Sequence, residues 1–384
     1  MTLQPTSHEA LVERVRRRLA GSLDPAAVAT AIRDIAPTVG TATAIEVAAA
    51  LNSAAGDAGP LGPLLDDPAV TDVLVNGPGA VWVDRGLGAQ LSAISITTEA
   101  ELRRLAVRLV AAGGRRLDSA APYADARLQD GTRIHAVLPP LSPQGTCLSL
   151  RIPPRRTFSV ADLVALRSLP PGGADLVRRL VAARLAFLVT GGTGSGKTTV
   201  LSTLLSLVAD TERIVLVEDA AELRPDHPHV VRLEGRSANA EGVGAVPLEV
   251  LVRQALRMRP DRLVVGEVRG EEVMDLLSAL NTGHAGGCGT IHANRAEHLP
   301  ARIEALCARA GVPRSAAHSL LGAAVDAVVH VVREPSGRRI AGIGVLAIDR
   351  TGDVQVVPAY EFTPTDVVAR QGAPALETRL AGEA

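Results

Sequence analysis

Hydrophobic and polar positions follow a helical period at the start of the chain and give way to turn formers before residue 61. Apolar residues recur at helical spacing over 8–20 and 24–36, which predicts two amphipathic helices within an N-terminal helical segment at 1–52. The stretch SAAGDAGP at 53–60 consists of small residues and turn formers, so it is predicted to be a linker.

Residues 61–152 combine short strand patterns with one helical pattern and predict a smaller α+β domain. The stretch TDVLVNGPGAVWVDRG predicts two strands joined by an Asn-Gly-Pro-Gly turn, which is a hairpin signal. A helix is predicted over 98–112, and further strands are predicted in RLQDGTRIHAVLPP and CLSLRIPP. The proline-rich residues 153–160 are predicted to form a hinge to a second domain.

Helical and strand patterns alternate from 161 to 365, which predicts an α/β domain with a mostly parallel sheet and helices on both faces. Runs rich in Val, Ile and Leu predict buried strands at 185–190, 213–218 and 262–267. The last residues, 366–384, show no sustained period and are predicted to form a loosely ordered tail.

The composition limits the classes of function. A net charge of −1 and 2% aromatic residues give neither the positive charge nor the stacking groups of a nucleic-acid-binding protein, so no direct nucleic-acid binding is expected. The scattered cysteines Cys147, Cys288 and Cys307 predict neither a disulfide framework nor a zinc site. Without an N-terminal apolar core or a run long enough to span a bilayer, we expect a cytoplasmic protein that reaches the membrane only through partners.

The stretch VTGGTGSGKTTVL contains the pattern G-x-x-x-x-G-K-[ST] between an apolar strand and a helix, which predicts a phosphate-binding P-loop. Backbone N–H groups of such a loop, together with the helix N-terminus, surround phosphate oxygens, and a hydroxyl at Thr198 suits Mg²⁺. The predicted nucleotide-binding residues are Gly191, Gly192, Thr193, Gly194, Ser195, Gly196, Lys197, Thr198 and Thr199.

Lys197 is the only lysine in the chain, and every other basic side chain apart from histidine is an arginine. An ammonium is a compact charge on a slim stem that can lie along the loop and contact the β- and γ-phosphates. A planar guanidinium is wider and favours bidentate contacts, so we expect that arginine cannot replace Lys197.

Two predicted strands end in acids: the first is followed by Glu218, Asp219 and Glu222, and the second by Glu267. Carboxyl ends of parallel strands lie at the same edge of a sheet, beside the phosphate loop. Glu218 and Glu267 are therefore candidates to bind Mg²⁺, mostly through water, and to activate the attacking water. Which of the two is the base stays open, and Glu222 is equally suited to capping or pairing with an arginine.

The stretch TGHAGGCGTIHAN contributes His284 and His292. A metal site is disfavoured because no third ligand accompanies them, and neutral imidazoles that hydrogen-bond near the γ-phosphate are the favoured hypothesis. Cys288, between the two histidines, is expected to be a small loop residue rather than a nucleophile.

Four stretches, in order, resemble the Walker A, Asp box, Walker B and His box of the type II/type IV secretion and pilus ATPases: GGTGSGKTT, VEDAAEL, RPDRLVVGEVRG and TGHAGGCGTIHAN. LLDDPAVTDVLVNGPGAVWVDRGL and DGTRIHAVLPP are similar to the N-terminal domain of the Tad/Flp pilus (CpaF-type) branch. The His box departs from the usual pattern in its GGCG, and the tetracysteine zinc module of many relatives is absent from the sequence.

The resemblance implies a RecA-like P-loop ATPase domain and a homohexameric ring, with nucleotide between the two domains of a subunit and completed by its neighbour. Glu218 and Glu267 would take the catalytic and Mg²⁺-linked roles, and His284 and His292 would couple the γ-phosphate to domain motion. Arginines of the N-terminal domain reach phosphates in this family, and the residues in matching stretches are Arg133 and Arg151, with Arg127 as a third candidate.

The implied function is ATP hydrolysis that opens and closes the ring and drives pilus assembly or protein export through an inner-membrane platform protein. An ATPase of a conjugative DNA-transfer system is the first alternative. A nucleotide-dependent switch or scaffold with little turnover is disfavoured by the acids and histidines, and a RecA-like DNA helicase by the lack of basic loops and stacking aromatics.

Overall fold

The computed structural model describes residues 58–382, apart from residue 87, 154–155, 237–242 and 284. The helical segment predicted at 1–52 lies outside this part. The chain divides into two compact units, of which the first ends at residue 155 and the second begins at Arg156. The domain limits derived from the sequence stay predictions, and each unit is described by itself.

The first unit contains a six-stranded antiparallel sheet with the order β3-β2-β1-β6-β5-β4. Its strands are β1 (Asp72–Asn76), β2 (Gly79–Asp84), β3 (Ala89–Ile96), β4 (Tyr123–Arg127), β5 (Arg133–Val137) and β6 (Cys147–Arg151). Its helices are α1 (Gly62–Asp66), which follows a 3₁₀ turn at Gly59–Leu61, and α2 (Glu99–Ala112). The antiparallel pairing of β1 with β2 confirms the hairpin predicted from the sequence.

Alternate residues of these strands are buried, as expected for a sheet with one covered face. Val73 and Val75 of β1 are fully buried, and they share an apolar core with Leu102 and Leu109 of α2. The helix begins where the Thr98 hydroxyl accepts a hydrogen bond from the Glu101 amide at 3.3 Å. The buried face thus packs on α2, while the strand positions between carry the polar side chains.

The second unit contains a nine-stranded sheet with the order β15-β14-β13-β12-β7-β11-β10-β8-β9. Its strands are β7 (Phe187–Gly191), β8 (Ile214–Glu218), β9 (Val230–Glu234), β10 (Arg262–Val268), β11 (Cys288–His292), β12 (Ala327–Glu334), β13 (Gly337–Ile348), β14 (Val354–Phe362) and β15 (Val367–Ala369). The strands from β12 to β9 in this order are parallel, and β13, β14 and β15 continue the sheet antiparallel.

Helices cover both faces of this sheet. They are α3 (Val160–Ala165), α4 (Pro171–Ala182), α5 (Lys197–Leu205), α6 (Leu248–Ala255), α7 (Glu272–Asn281), α8 (Leu299–Arg309), α9 (Arg314–Ala324) and α10 (Ala373–Leu380), with 3₁₀ turns at Leu256–Met258 and Ala296–His298. Leu216 of β8 belongs to one apolar core together with α4 and α5, whereas Val215 and Val217 belong to another with α6 and α7. This layering confirms the predicted α/β fold with a largely parallel sheet. Of the helices in the described ranges, none combines the length and apolarity needed to cross a bilayer.

The prediction of a loosely ordered tail at 366–384 was wrong, because β15 and α10 form there. Leu376 of α10 is 1% exposed and belongs to one of the two cores. The carboxylate of Glu377 accepts hydrogen bonds from the Arg179 guanidinium and, at 2.7 Å, from the Tyr360 hydroxyl. These contacts join residues far apart in the chain, so a local pattern does not reveal them.

Candidate active site

The predicted P-loop connects β7 to α5. Gly194 and Gly196 have φ values of 68° and 98°, a left-handed conformation that glycine adopts without a steric penalty. A Cβ on Gly191 would lie 2.4 Å from the carbonyl oxygen of Val331 on β12. The glycines at these positions are therefore required by backbone conformation and by close packing.

The Lys197 side chain folds back along this loop. Its Nζ donates hydrogen bonds to the carbonyl oxygens of Gly191 at 3.1 Å and Gly192 at 3.0 Å. Burial lowers the pKa of Lys197, and the nearby carboxylate of Glu267 opposes that shift. Ser195 is 2% exposed, and its hydroxyl has no hydrogen-bond partner among the described residues. The loop thus holds buried donors around the space that a phosphate would occupy.

His292 lies beside the first residue of the loop. It is the last residue of β11, which is inserted between β7 and β10, and it pairs in register with Gly191. Its Nδ1 is 3.5 Å from the Thr193 hydroxyl. Thr198 and Thr199 follow Lys197 in the first turn of α5. The parallel sheet therefore brings His292 together with the P-loop.

His284 lies outside the described residues, and Gly286 and Gly287, which follow it in sequence, lie at the other edge of the sheet. The carbonyl of Gly287 accepts a hydrogen bond from the amide of Phe187, the first residue of β7, at 3.3 Å. The guanidinium of Arg262, the first residue of β10, lies 3.4 Å from the Gly286 carbonyl oxygen. β11 then runs from this edge to the P-loop, so the structure does not bring Gly286 and Gly287 to the P-loop. The role of His284 stays a prediction.

Glu218 ends β8 and is 4% exposed. Its Oε1 accepts hydrogen bonds from the amides of Glu222 at 3.0 Å and Leu223 at 2.9 Å, so the side chain holds the loop that follows its own strand. Its Oε2 is buried without a hydrogen-bond partner within the described part of the chain. Burial raises the pKa of Glu218 to about 7.

Glu267 lies on β10 and is half-buried. Arg269, which the sequence analysis did not select, donates a hydrogen bond through Nη2 to Glu267 Oε2 at 2.5 Å. This hydrogen bond raises the pKa of Arg269, and the carboxylates of Asp219 and Glu222 add to the rise. The spacing of two residues in GEVRG was the available signal, since alternate residues of an extended chain share a side.

Two further residues missed by the sequence analysis support the loop from β12 and β13. His330 Nδ1 is 2.8 Å from the hydroxyl of Thr190, and burial lowers the pKa of this histidine. Arg338 donates through Nε to the carbonyl oxygen of Gly194 at 2.8 Å. Both lie about 140 residues beyond the loop in sequence, and no motif marks them. Cys288 is fully buried, which raises its pKa to about 12 and makes it a poor nucleophile.

The three candidate arginines of the first unit form one row across neighbouring strands. Arg127 pairs in register with Arg133, and Arg133 with Arg151. The row continues to Asp72 on β1, whose carboxylate accepts a hydrogen bond from Arg151 Nε at 3.1 Å. Like charges on directly opposite strand positions repel one another, so an anion near this row would be stabilised.

The groups at the P-loop edge suit a magnesium-bound nucleoside triphosphate. Mg²⁺ prefers hydroxyl, carboxylate and phosphate oxygens and retains much of its water. The buried Oε2 of Glu218, which accepts no hydrogen bond from the described residues, and the half-buried carboxylate of Glu267 are oxygen ligands of this kind, and Thr198 supplies a hydroxyl. The residues present therefore fit the ion.

Comparison with known proteins connects this site to a family. The family model described as "Type II/IV secretion system protein" matches residues 54–359. A putative conjugal transfer protein of Mycobacterium tuberculosis is 55% identical over 310 residues, which cover 79% of this chain and 88% of the relative. The conjugal transfer protein TrbB of Rhizobium radiobacter is 31% identical over 280 residues, which cover 72% and 83%. The crystal structure of the pilus retraction motor PilT with bound ADP matches with a TM-score of 0.51 and 19% identity over 84% of this chain and 85% of that chain, a likeness of fold.

Proposed function

The chain belongs to the type II/IV secretion system protein family and is an ATP-hydrolysing secretion ATPase, and on this premise we propose that it drives pilus assembly or protein export. The observation that carries the proposal is that the groups of the site lie together at one edge of the parallel sheet. There the P-loop follows β7, His292 is the last residue of the adjacent strand β11, and Glu267 lies near the end of the next strand, β10. A phosphate-binding loop beside an acid and an imidazole has the groups that hydrolysis of a phosphoanhydride requires.

In the proposed site, the amides of Gly191 to Gly196 and the N-terminus of α5 bind the phosphate oxygens. The Lys197 ammonium exchanges its two carbonyl partners for the β- and γ-phosphates. Thr198 would hold Mg²⁺ with its hydroxyl, and Glu218 and Glu267 would do so mostly through water. The ion, when bound, neutralises the charge that develops on the phosphates.

We assign the role of general base to Glu267 and a supporting role to Glu218. Glu218 is buried, and its Oε1 is occupied by two backbone amides. Glu267 is half-buried, and its negative charge opposes the lowering of the pKa of Lys197 by burial. The hydrogen bond from Arg269 orients the Glu267 carboxylate before nucleotide enters.

His292 would bind near the γ-phosphate, with Thr193 as its neighbour, and would transmit the loss of that phosphate to the rest of the domain. Arg133 and Arg151 would supply positive charge from the first unit, with Arg127 in the same row. We propose that a neighbouring subunit of a homohexamer completes the site. His284 would then serve the same coupling between γ-phosphate and domain motion.

For the machine that the ring serves, we propose a Tad/Flp-type system, supported by the N-terminal stretch LLDDPAVTDVLVNGPGAVWVDRGL. The ring would act on the cytoplasmic face of the inner membrane through a platform protein and would not grip nucleic acid itself. The second candidate is an ATPase of conjugative DNA transfer. It is favoured by the names of the relatives, including the M. tuberculosis protein that is 55% identical.

The test of the proposed reaction is Glu267→Gln, which keeps the size of the side chain and removes its basicity. Removing a general base costs roughly 10²- to 10⁴-fold in rate, so kcat should fall by that order while the Kd for a fluorescent ATP analogue changes little. Glu271→Gln, an exposed neighbour at the start of α7, is the matched control and should turn over normally. Normal turnover by the Glu267 variant would refute the assignment, and a wild-type protein that binds ATP without turnover would support a switch.

The two candidate functions can be distinguished by the partners that the protein binds. Purified protein should be retained by detergent-solubilised platform proteins of a pilus system in an ATP-dependent manner. Stimulation of turnover by DNA, without such retention, would favour conjugative transfer instead.

A further inference from the structure

Strand β10 contains a β-bulge at the acid that the proposed function uses as its base. The register with β11 shifts between Val265 and Val268, so Gly266 and Glu267 together face the single residue Thr290. Bulges are rare between parallel strands, and they commonly re-aim a side chain next to an active site. The bulge therefore sets the direction in which Glu267 leaves the sheet.

One side of the bulge is held by a buried hydroxyl. Thr290 is 1% exposed, and its Oγ1 donates a hydrogen bond to the carbonyl oxygen of Gly266 at 2.6 Å. A bulge takes backbone groups out of the regular ladder, and a buried carbonyl outside the ladder needs another donor. The Thr290 hydroxyl is that donor, and the carbonyl that it binds belongs to Gly266, the residue before Glu267.

The other side is closed by Glu218. A Cβ on Gly266 would lie 2.6 Å from the Cγ of Glu218 and 3.0 Å from its Oε1. Gly266 is thus enclosed between two buried side chains from the neighbouring strands. The backbone that leads to Glu267 has little room to move while both remain in place.

We propose that Thr290 is a positioning residue for ATP hydrolysis: its hydroxyl pins the carbonyl of Gly266 and so fixes the bulge that presents Glu267 to the P-loop. This inference rests on the proposed role of Glu267 as the base. The hydroxyl acts on the orientation of the acid and leaves nucleotide binding to the P-loop. A misplacement of about 1 Å at a catalytic group can cost on the order of 100-fold in rate.

The experiment compares Thr290→Val and Thr290→Ala, which remove the hydroxyl, with Thr290→Ser, which keeps it. For the first two we expect kcat to fall roughly 10- to 100-fold, with the Kd for a fluorescent ATP analogue within about threefold of wild type. Thr290→Ser should restore kcat to within about threefold of wild type. Rates are measured per folded protein, well below each variant's melting temperature, so a purely structural role would lower Tm without this split between kcat and Kd.

Glu267→Gln and the double variant Glu267→Gln/Thr290→Val separate this inference from the proposed function. The second substitution should cause no further loss of kcat, because a positioning group has no effect once its base is gone. Wild-type kcat in Thr290→Val and Thr290→Ala, with Glu267→Gln inactive, would overturn the positioning role alone. Normal turnover by Glu267→Gln would overturn the proposed function itself.

Discussion

The Nζ of Lys197 donates a hydrogen bond to the carbonyl oxygen of Gly191 at 3.1 Å, so the ammonium rests on the first residue of the loop it helps to form. The side chain is 8% exposed and reaches a second carbonyl of the same loop. A narrow donor fits between these carbonyls and the loop amides, whereas a planar guanidinium needs more width. The lone lysine of the chain therefore occupies a position that its many arginines do not suit.

Lys197→Arg should abolish function although it preserves charge. We expect the affinity for ATP to fall at least tenfold and kcat to fall on the order of 100-fold, because the phosphate contacts of the ammonium are made in a water-poor loop. Fluorescent-analogue titration and phosphate release measure the two quantities. Arg350→Lys, the reverse exchange at an exposed turn, is the control. An active Lys197→Arg enzyme would show that only charge matters at this position.

Much of the second unit could be predicted because its signals are local. The strand, loop and helix around Lys197 lie within one short stretch, and β10 occupies nearly the residues that its apolar run predicted. Arg338 and His330 could not be found in this way, since they meet the loop only through the pairing of β12 with β7. Sequence order does not reveal which strands become neighbours.

His292 illustrates the same limit. The sequence did not show that β11 separates the residue pair Gly286–Gly287 from His292. At about 3.3 Å per residue, the two ends of that strand, Cys288 and His292, lie roughly 13 Å apart. The register of β11 with β7 therefore gives His292 a structural reason to act at the P-loop, and the sequence alone did not reveal that register.

His292→Ala should impair turnover more than binding. His292 pairs in register with Gly191 and lies near the Thr193 hydroxyl, but Lys197 and the loop amides remain to hold the phosphates. We expect kcat to fall roughly 10- to 100-fold, with the Kd for ATP within about threefold. His298→Ala, at an exposed histidine, should behave as wild type. A parallel loss of affinity and rate would instead indicate that His292 shapes the loop itself.

The arginine row of the first unit predicts a loss of activity without a loss of folding. Arg151 is exposed, and its ion pair with Asp72 is of a kind that contributes about 1 kcal/mol or less to stability. Arg133→Ala and Arg151→Ala should therefore leave Tm nearly unchanged while each lowers the ATPase rate at least about tenfold. Arg116→Ala, which breaks another exposed ion pair of the same unit, is the control. Full activity in the double variant would remove these arginines from the site.

The raised pKa of Glu218 predicts a dependence of stability on pH. Burial raises this pKa from 4.5 to about 7, so the folded chain keeps a proton that the unfolded chain releases. The stabilising effect of the neutral acid is complete below pH 4.5 and is lost as pH rises to about 7, with a total change of up to about 3 kcal/mol. Glu218→Gln mimics the neutral acid and keeps an oxygen for the amides of Glu222 and Leu223.

Urea unfolding followed by circular dichroism should therefore show equal midpoints for wild type and Glu218→Gln at about pH 4, below the ordinary pKa of the acid, and a more stable variant at pH 8. Glu234→Gln, at the exposed end of the neighbouring strand β9, removes the same charge from the surface and serves as control.

Glu218→Gln also tests the role of Glu218 in catalysis. If Glu218 has a supporting role, the variant should keep most of the wild-type turnover, whereas loss of a general base would lower kcat roughly 10²-fold or more. Parallel pH profiles for wild type and Glu218→Gln would refute the buried-acid argument, and an inactive but stable variant would return the role of base to Glu218.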